Sequence, residues 1–504
     1  MIRNTKIGVA LIVLVLGIFR LNAGSGSAGG FKEYYGPRFK GTAEAQILAR
    51  QQPVNDGNAI PYWNRVACDA SGLDHTPVAP GENRVFGEQL GPCRAARAMA
   101  IVQIAVFDAV NAIVGGYQGY TSLPAVSEKT SVDAAVAQAA HDTLVALFPS
   151  QKADMDFLLA DFLAEIRGQP AAKSRGIEVG SHAAIKILSL KSKDGSQHDE
   201  PLVNIEFITS DLPGFWRQDP ISLIPLALGA YWGSCTPFVM TSGKQFRLPP
   251  PPPLNSLEYT AAFDEVKRLG GDGTNSPTER TEDQTLMGIY WAYDGTPALC
   301  APPRLYNQIT CHIADQMGTD GVALARLLAL VNTAMADAAI AVWESKFYYQ
   351  FWRPVTGIRE ADPGTGPTGA GDGNDATIGD IAFSPLGAPA SNLQGPNFTP
   401  PFPAYPSGHA GIGSSLFQTL RRFYGTDNIA FTFVSDELNG VTQDNTGDVR
   451  PLAPRSFTSL SQAESENAQS RIYLGIHWAF DATGGISQGR AIADYVFGRA
   501  FVPR

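Results

Sequence analysis

Residues 93–113 read CRAARAMAIVQIAVFDAVNAI. The run is built from good helix formers with few polar interruptions, which predicts a helix buried over most of its circumference. Its centre, VQIAVFDAV (102–110), matches VNTAMADAA (331–339) in the placing of Val, Ala, Asp and Ala. Two related helical bundles are the expectation from that match, although buried Ala-rich helices also resemble one another by composition alone. Outward from the first run, 132–148, 151–166 and 171–190 keep apolar residues three and four apart, and the same spacing returns at 256–270, 304–317 and 322–349. Period-two strand patterns are scarce. These runs divide the chain into a first helical region over 91–250 and a second over 254–500, with LPPPPP (248–253) as an extended separator. The turn-rich text before them predicts an irregular segment over 24–90, where Pro53, Pro61, Pro77 and Pro80 interrupt any long element.

The chain has 504 residues, 44% of them hydrophobic and 17% charged, and a formal net charge of -10. That composition is globular, and its sign offers no broad field for nucleic acid or anionic lipid. An anion therefore needs a local positive pocket. The N-terminus carries Arg3, Lys6 and an apolar run from Ile7 to Phe19, the pattern of a signal peptide over 1–23, and hence of a secreted, periplasmic or extracellular protein. An uncleaved membrane anchor through 7–19 is the alternative. The five cysteines form no CxxC pair and show no zinc-site spacing; export would permit Cys68 to pair with Cys93, or Cys300 with Cys311.

Three short stretches carry candidate chemistry. KFYYQFWRP (346–354) places Lys346 and Arg353 seven apart, near two helical turns, among aromatic residues that predict partial burial. YPSGHAGIGSSLFQTLRRF (405–423) predicts a helix beginning near Pro406–Gly408, with the Ser407 hydroxyl and the Gly408 and His409 amides available to an oxyanion. SRIYLGIHWAFDATGG (470–485) holds Arg471, His477 and Asp481, the last two at an i,i+4 spacing that predicts neighbours on one helix face. Singly, each has a bland structural reading. Together they assemble three cations, two histidines and a helix N-terminus in an acidic chain, a pocket suited to a tetrahedral oxyanion such as phosphate or vanadate.

The full pattern is Lys, six residues, Arg-Pro; then Pro-Ser-Gly-His; then Ser-Arg, five residues, His, three residues, Asp. In this the chain resembles the vanadium-dependent haloperoxidases, within the superfamily shared with bacterial class A acid phosphatases and type 2 phosphatidic acid phosphatases. YWAYDGTP (290–297), PPRLYNQI (302–309), FRLPPPPP (246–253) and SDELNG (435–440) extend the likeness toward the fungal chloroperoxidases. The resemblance implies an all-α fold of two four-helix-bundle units with long irregular connections. It implies one vanadate per chain, no haem, and hydrogen peroxide, a halide ion and a small organic acceptor as partners, with a homo-oligomer compatible with it. His477 would be the vanadium ligand; Lys346, Arg353, Ser407, Gly408 and Arg471 would hold the cofactor's oxygens; His409 would be the acid–base group, with Lys346 also catalytic. Asp294 is expected to pair with Arg353, and Asp481 to support His477. Trp343 and Phe402 match aromatic positions flanking the halide pocket, which favours chloride and also admits bromide. The rival reading is a secreted acid phosphatase with a phosphohistidine at His477.

Overall fold

The alanine- and leucine-rich runs become helices because nothing in them interrupts the backbone ladder, and their ends carry recognisable stops. The computed structural model describes residues 58–79, 81–295, 298–388, 398–442 and 449–504. Its helices are α1 (Ala59–Asp74), α2 (Pro92–Val114), α3 (Val132–Leu147), α4 (Lys152–Glu165), α5 (Pro170–Leu190), α6 (Leu257–Leu269), α7 (Glu282–Tyr290), α8 (Pro302–Gln316), α9 (Gly321–Tyr349), α10 (Pro354–Arg359), α11 (Gly408–Tyr424), α12 (Leu460–Tyr473) and α13 (Ala479–Phe497). One antiparallel ribbon joins β1 (Phe431–Phe433) to β2 (Arg455–Phe457). Ser131, Ser256, Ser407 and Ser459 cap α3, α6, α11 and α12 through their hydroxyls, and proline opens α2, α5, α8 and α10.

The fold is all-α, as expected. Helices α1, α2, α3 and α5 pack as one bundle, α8, α9, α11 and α13 as a second, and α2 lies against α9 to join them. Helices α2 and α9 are long and apolar enough to cross a membrane by composition, yet each is enclosed by protein. They are the two core helices of one large hydrophobic interior.

The two bundles repeat each other in detail. Asp108 on α2 accepts the amides of Tyr120 and Thr121; its counterpart Asp337 on α9 accepts those of Phe238, Val239 and Met240. Gln103 bonds Asn64 on α1, and Asn332 bonds Asn307 on α8, at 2.9 and 2.8 Å. The Ser131 amide donates to the Ala172 carbonyl, and that of Ser407 to the Asp481 carbonyl. Gly176 and Gly180 of α5 lie on Ser131 and Ala135 of α3, while Gly485 and Gly489 of α13 lie on Ser407 and Gly411 of α11. Glycine pairs let both helix pairs approach at backbone distance.

Two expectations are corrected. The segment before residue 90 is not wholly irregular, since 59–74 is helical; Pro61 sits in the first turn, where its missing N–H removes no intrahelical bond. None of the cysteines is paired. Cys311 instead accepts from Asn64 at 3.2 Å, Cys300 lies 2.9 Å from the Ser71 hydroxyl, and Cys68 and Cys93 are buried on α1 and α2. The signal-peptide or anchor segment, 1–23, lies outside the described residues.

A methyl group at Gly485 would stand 2.7 Å from the Ser407 carbonyl oxygen, and one at Gly176 would stand 2.4 Å from that of Ser131. Gly485→Ala and Gly176→Ala should each cost about 1–3 kcal/mol. Urea unfolding checks this, and only the Gly485 change should also weaken oxyanion binding at α11.

Candidate active site

Helix α9 stops at Tyr349 because Gln350 takes a left-handed conformation, φ 48°, and Arg353 becomes the N-cap of α10. Lys346 and Arg353 are therefore not two turns apart on one helix; the break swings the second cation back beside the first. Lys346 Nζ donates to the carbonyls of Pro403 and Ala404, both at 2.8 Å. Arg353 donates through Nε to Phe402 O at 2.9 Å and through Nη1 to Ile476 O at 2.8 Å. Arg471, in the last turn of α12, spans both carboxylate oxygens of Asp294 from Nη2, each at 2.8 Å. This corrects the expected pairing of Asp294 with Arg353, whose guanidinium is already engaged by the two carbonyls and by His477. All three cations are at most 1% exposed. Burial and then Arg353 push the Lys346 amine well below its usual range, and burial lowers Arg353 to about 9.

His477 also departs from the expected helix-face geometry. It precedes α13, and Asp481 is in the first turn of that helix, so the i,i+4 contact runs across the helix start. Asp481 Oδ2 lies 2.7 Å from His477 Nδ1 and accepts the Trp478 amide at 3.0 Å. The carboxylate puts the imidazole hydrogen on Nδ1 and leaves the lone pair on Nε2, where Arg353 Nη1 approaches to 3.0 Å. Burial followed by the Arg353, Lys346 and Arg471 charges holds His477 well below 6.5, and burial raises Asp481 to about 7.

Ser407 caps α11 as the sequence predicts, accepting the Ala410 amide at 3.4 Å, so its own hydroxyl hydrogen is free to donate. His409 Nε2 lies 2.7 Å from the Ala292 carbonyl, which requires the hydrogen on Nε2 and leaves Nδ1 as a base. Asp294 stands 3.8 Å away, while burial and then Arg471 keep the ring neutral well below its ordinary pKa. Its backbone carbonyl accepts from Tyr306 and Asn467 at 3.2 and 3.0 Å.

His409, Asp294, Arg471 and His477 face one cavity of about 60 Å³, whose remaining wall includes Leu228, Tyr293, Trp343, Phe398 and Phe402. The Trp343 and Phe402 rings stand 4.8 Å apart, with Lys346 Nζ 5.7 and 5.2 Å from their centroids. The segment that leads into Pro403 contributes Phe398, Pro400, Pro401 and Phe402 to that wall.

A family model described as the VCPO second helical-bundle domain matches residues 326–502. The vanadium chloroperoxidase of Curvularia inaequalis is 30% identical, over 84% of this chain and 79% of its own. The chain belongs to the vanadium-dependent haloperoxidase family. Its fold is also that of a bacterial vanadium-dependent iodoperoxidase (23% identity, TM-score 0.67, covering 89% of this chain and 98% of that one). The same holds for a holo-type bacterial vanadium-dependent chloroperoxidase (16% identity, TM-score 0.61, covering 89% and 98%).

The donors of this haloperoxidase fit the family's oxyanion. Among the described residues, Arg353 Nη2 and Arg471 Nε and Nη1 are buried without a protein partner. Such atoms are costly unless a bound group accepts from them. Sequence reading missed the carbonyls that anchor the cations, the Ala292 acceptor and Asn467. The first two are backbone atoms with no sequence signature; Asn467, four residues before Arg471 on the same helix, was within reach of an i,i+4 argument.

Asp481, raised from 3.8 to about 7, binds its proton more tightly folded than unfolded. Its contribution is complete below its unfolded value and is lost as the pH rises through about 7. Between those limits the vanadate-free protein should lose on the order of 2–4 kcal/mol relative to Asp481→Asn. Denaturant titrations of both proteins across that range check the sign.

Proposed function

We propose that this pocket holds vanadate and uses it to oxidise a halide with hydrogen peroxide, giving hypohalous acid that halogenates small organic acceptors. The observation that carries the reading is the set of buried guanidinium donors with no partner among the described residues, gathered beside His477, whose Nε2 lone pair faces Arg353 Nη1. Lys346, Arg353, Arg471, the Ser407 hydroxyl and the Gly408 amide are the groups that would hold the oxygens, and His477 Nε2 the ligand to the metal. When bound, vanadate supplies a pentavalent Lewis acid that activates peroxide without changing its oxidation state. His409, neutral and unprotonated at Nδ1, takes the peroxide proton and later returns it. Lys346, in its charged form, has a third N–H beyond those given to Pro403 and Ala404, and would donate it to peroxide held in the pocket. Asp294 keeps Arg471 oriented, and Asp481 keeps the His477 tautomer.

The Trp343–Phe402 wall excludes water around the halide and peroxide, which supports chloride as the preferred ion with bromide also accepted. A cavity of about 60 Å³ suits such small reactants, so organic acceptors can be halogenated by acid released from the site. The Arg3, Lys6 and Ile7–Phe19 pattern supports an exported enzyme.

Three proteins test the assignment after removal of metal and addition of orthovanadate. Wild type should oxidise bromide or chloride only with vanadate and peroxide, whereas turnover of a phosphate ester with no such oxidation would establish the phosphatase reading. His477→Ala should lose vanadate retention in equilibrium dialysis. His409→Ala should retain vanadate and lose about 10²–10⁴ in kcat.

A further inference from the structure

Trp343 projects from α9, but its indole is fixed by a segment far away in sequence. Trp343 Nε1 donates to Leu228 O at 3.0 Å, and the Leu228 amide donates to Pro401 O at 2.9 Å, one residue before Phe402. One residue thus ties both aromatic walls of the cavity, and the Leu228 side chain lines it as well. The next amide, Gly229, donates to Glu200 Oε2, while Glu200 Oε1 receives Arg94 Nη1 from the first turns of α2. Arg94 is held in turn by His198 O at 2.7 Å and by the Trp232 ring, 5.4 Å away. Space at this junction is minimal. Gly229 has φ +80°, and a Cβ there would stand 2.3 Å from Trp343 Nε1.

We propose that Glu200 is a positioning residue for the halide pocket: by joining Arg94 of the first bundle to the Gly229 amide, it seats the Leu228 peptide that holds Trp343 against Phe402. This rests on the reading of the cavity as the halide-oxidising site. The partners shown for Glu200 among the described residues, Arg94 and the Gly229 amide, are not groups assigned to vanadate or peroxide, so it acts on the wall. Loss of the clamp lets the indole retreat and water enter beside the halide. Chloride, the more strongly hydrated ion, is penalised more than bromide.

The test uses vanadate-loaded full-length protein labelled with 5-fluorotryptophan, the Trp343 resonance being assigned by its loss in Trp343→Phe. Glu200→Ala, which removes the carboxylate from Arg94 and from the Gly229 amide, and Gly229→Ala, which pushes the indole directly, should both shift that ¹⁹F resonance. Both should raise KM for chloride about five- to tenfold and that for bromide less, with KM for peroxide and vanadate affinity within about twofold of wild type. Glu200→Gln keeps an oxygen for the Gly229 amide and should recover most of the chloride KM. An unmoved Trp343 resonance, or chloride, bromide, peroxide and vanadate parameters that all worsen together, overturns the proposal. Should Glu200→Ala fail to fold, Gly229→Ala and Glu200→Gln decide by the same criteria. Failure of the parent reading looks different: wild type itself shows no vanadate-dependent halide oxidation, whatever the resonance does.

Discussion

Everything at this site follows from the burial of three cations at one point. Lys346, Arg353 and Arg471 are removed from water in the second bundle, and a charge in that position is tolerated only when fixed dipoles or opposite charges surround it. The protein supplies part of that compensation. Carbonyls of Phe402, Pro403, Ala404 and Ile476 turn inward, and Asp294 spans Arg471. Compensation stops short of completion, since several guanidinium hydrogens have no acceptor among the described residues and Asp481 is itself pushed toward its neutral form. The deficit is a positive field with defined donor positions, which is what selects an oxyanion of several negative charges over a neutral ligand.

The internal repeat shows how little of the architecture is chemical. Both bundles share the buried amide pairs, the aspartates that hold loop amides, the serine caps and the glycine contacts. By those contacts, Asp133, Gly168 and Ala172 of the first bundle stand where the second has His409, His477 and Asp481. The first bundle thus lacks both histidines while keeping the scaffold. Its role at the pocket is mechanical: helix α2 reaches the cavity wall through Arg94 and Glu200, and Gly91 and Pro92 at its start line the cavity directly. The buried cations and histidines sit on helices or at their ends, while long connections supply much of the wall, an arrangement that separates precision from adjustability.

The sequence by itself determined the helical class and the two related runs, and it singled out the polar residues proposed to hold the oxyanion. Helical periodicity and the spacing of Lys346–Arg353, Ser407–His409 and Arg471–Asp481 are local properties, readable within short windows. Local inference failed where it assumed that spacing implies one continuous helix. The left-handed Gln350 breaks the first pair, and the start of α13 falls between His477 and Asp481. Tertiary structure alone decided that Asp294 meets Arg471, that the cysteines stay apart, that Leu228 lines the pocket and that Glu200 accepts the amide next to it. Those outcomes depend on which backbone carbonyls and amides converge after the bundles pack. Every residue carries the same backbone groups, so their meeting leaves no mark in the order of side chains.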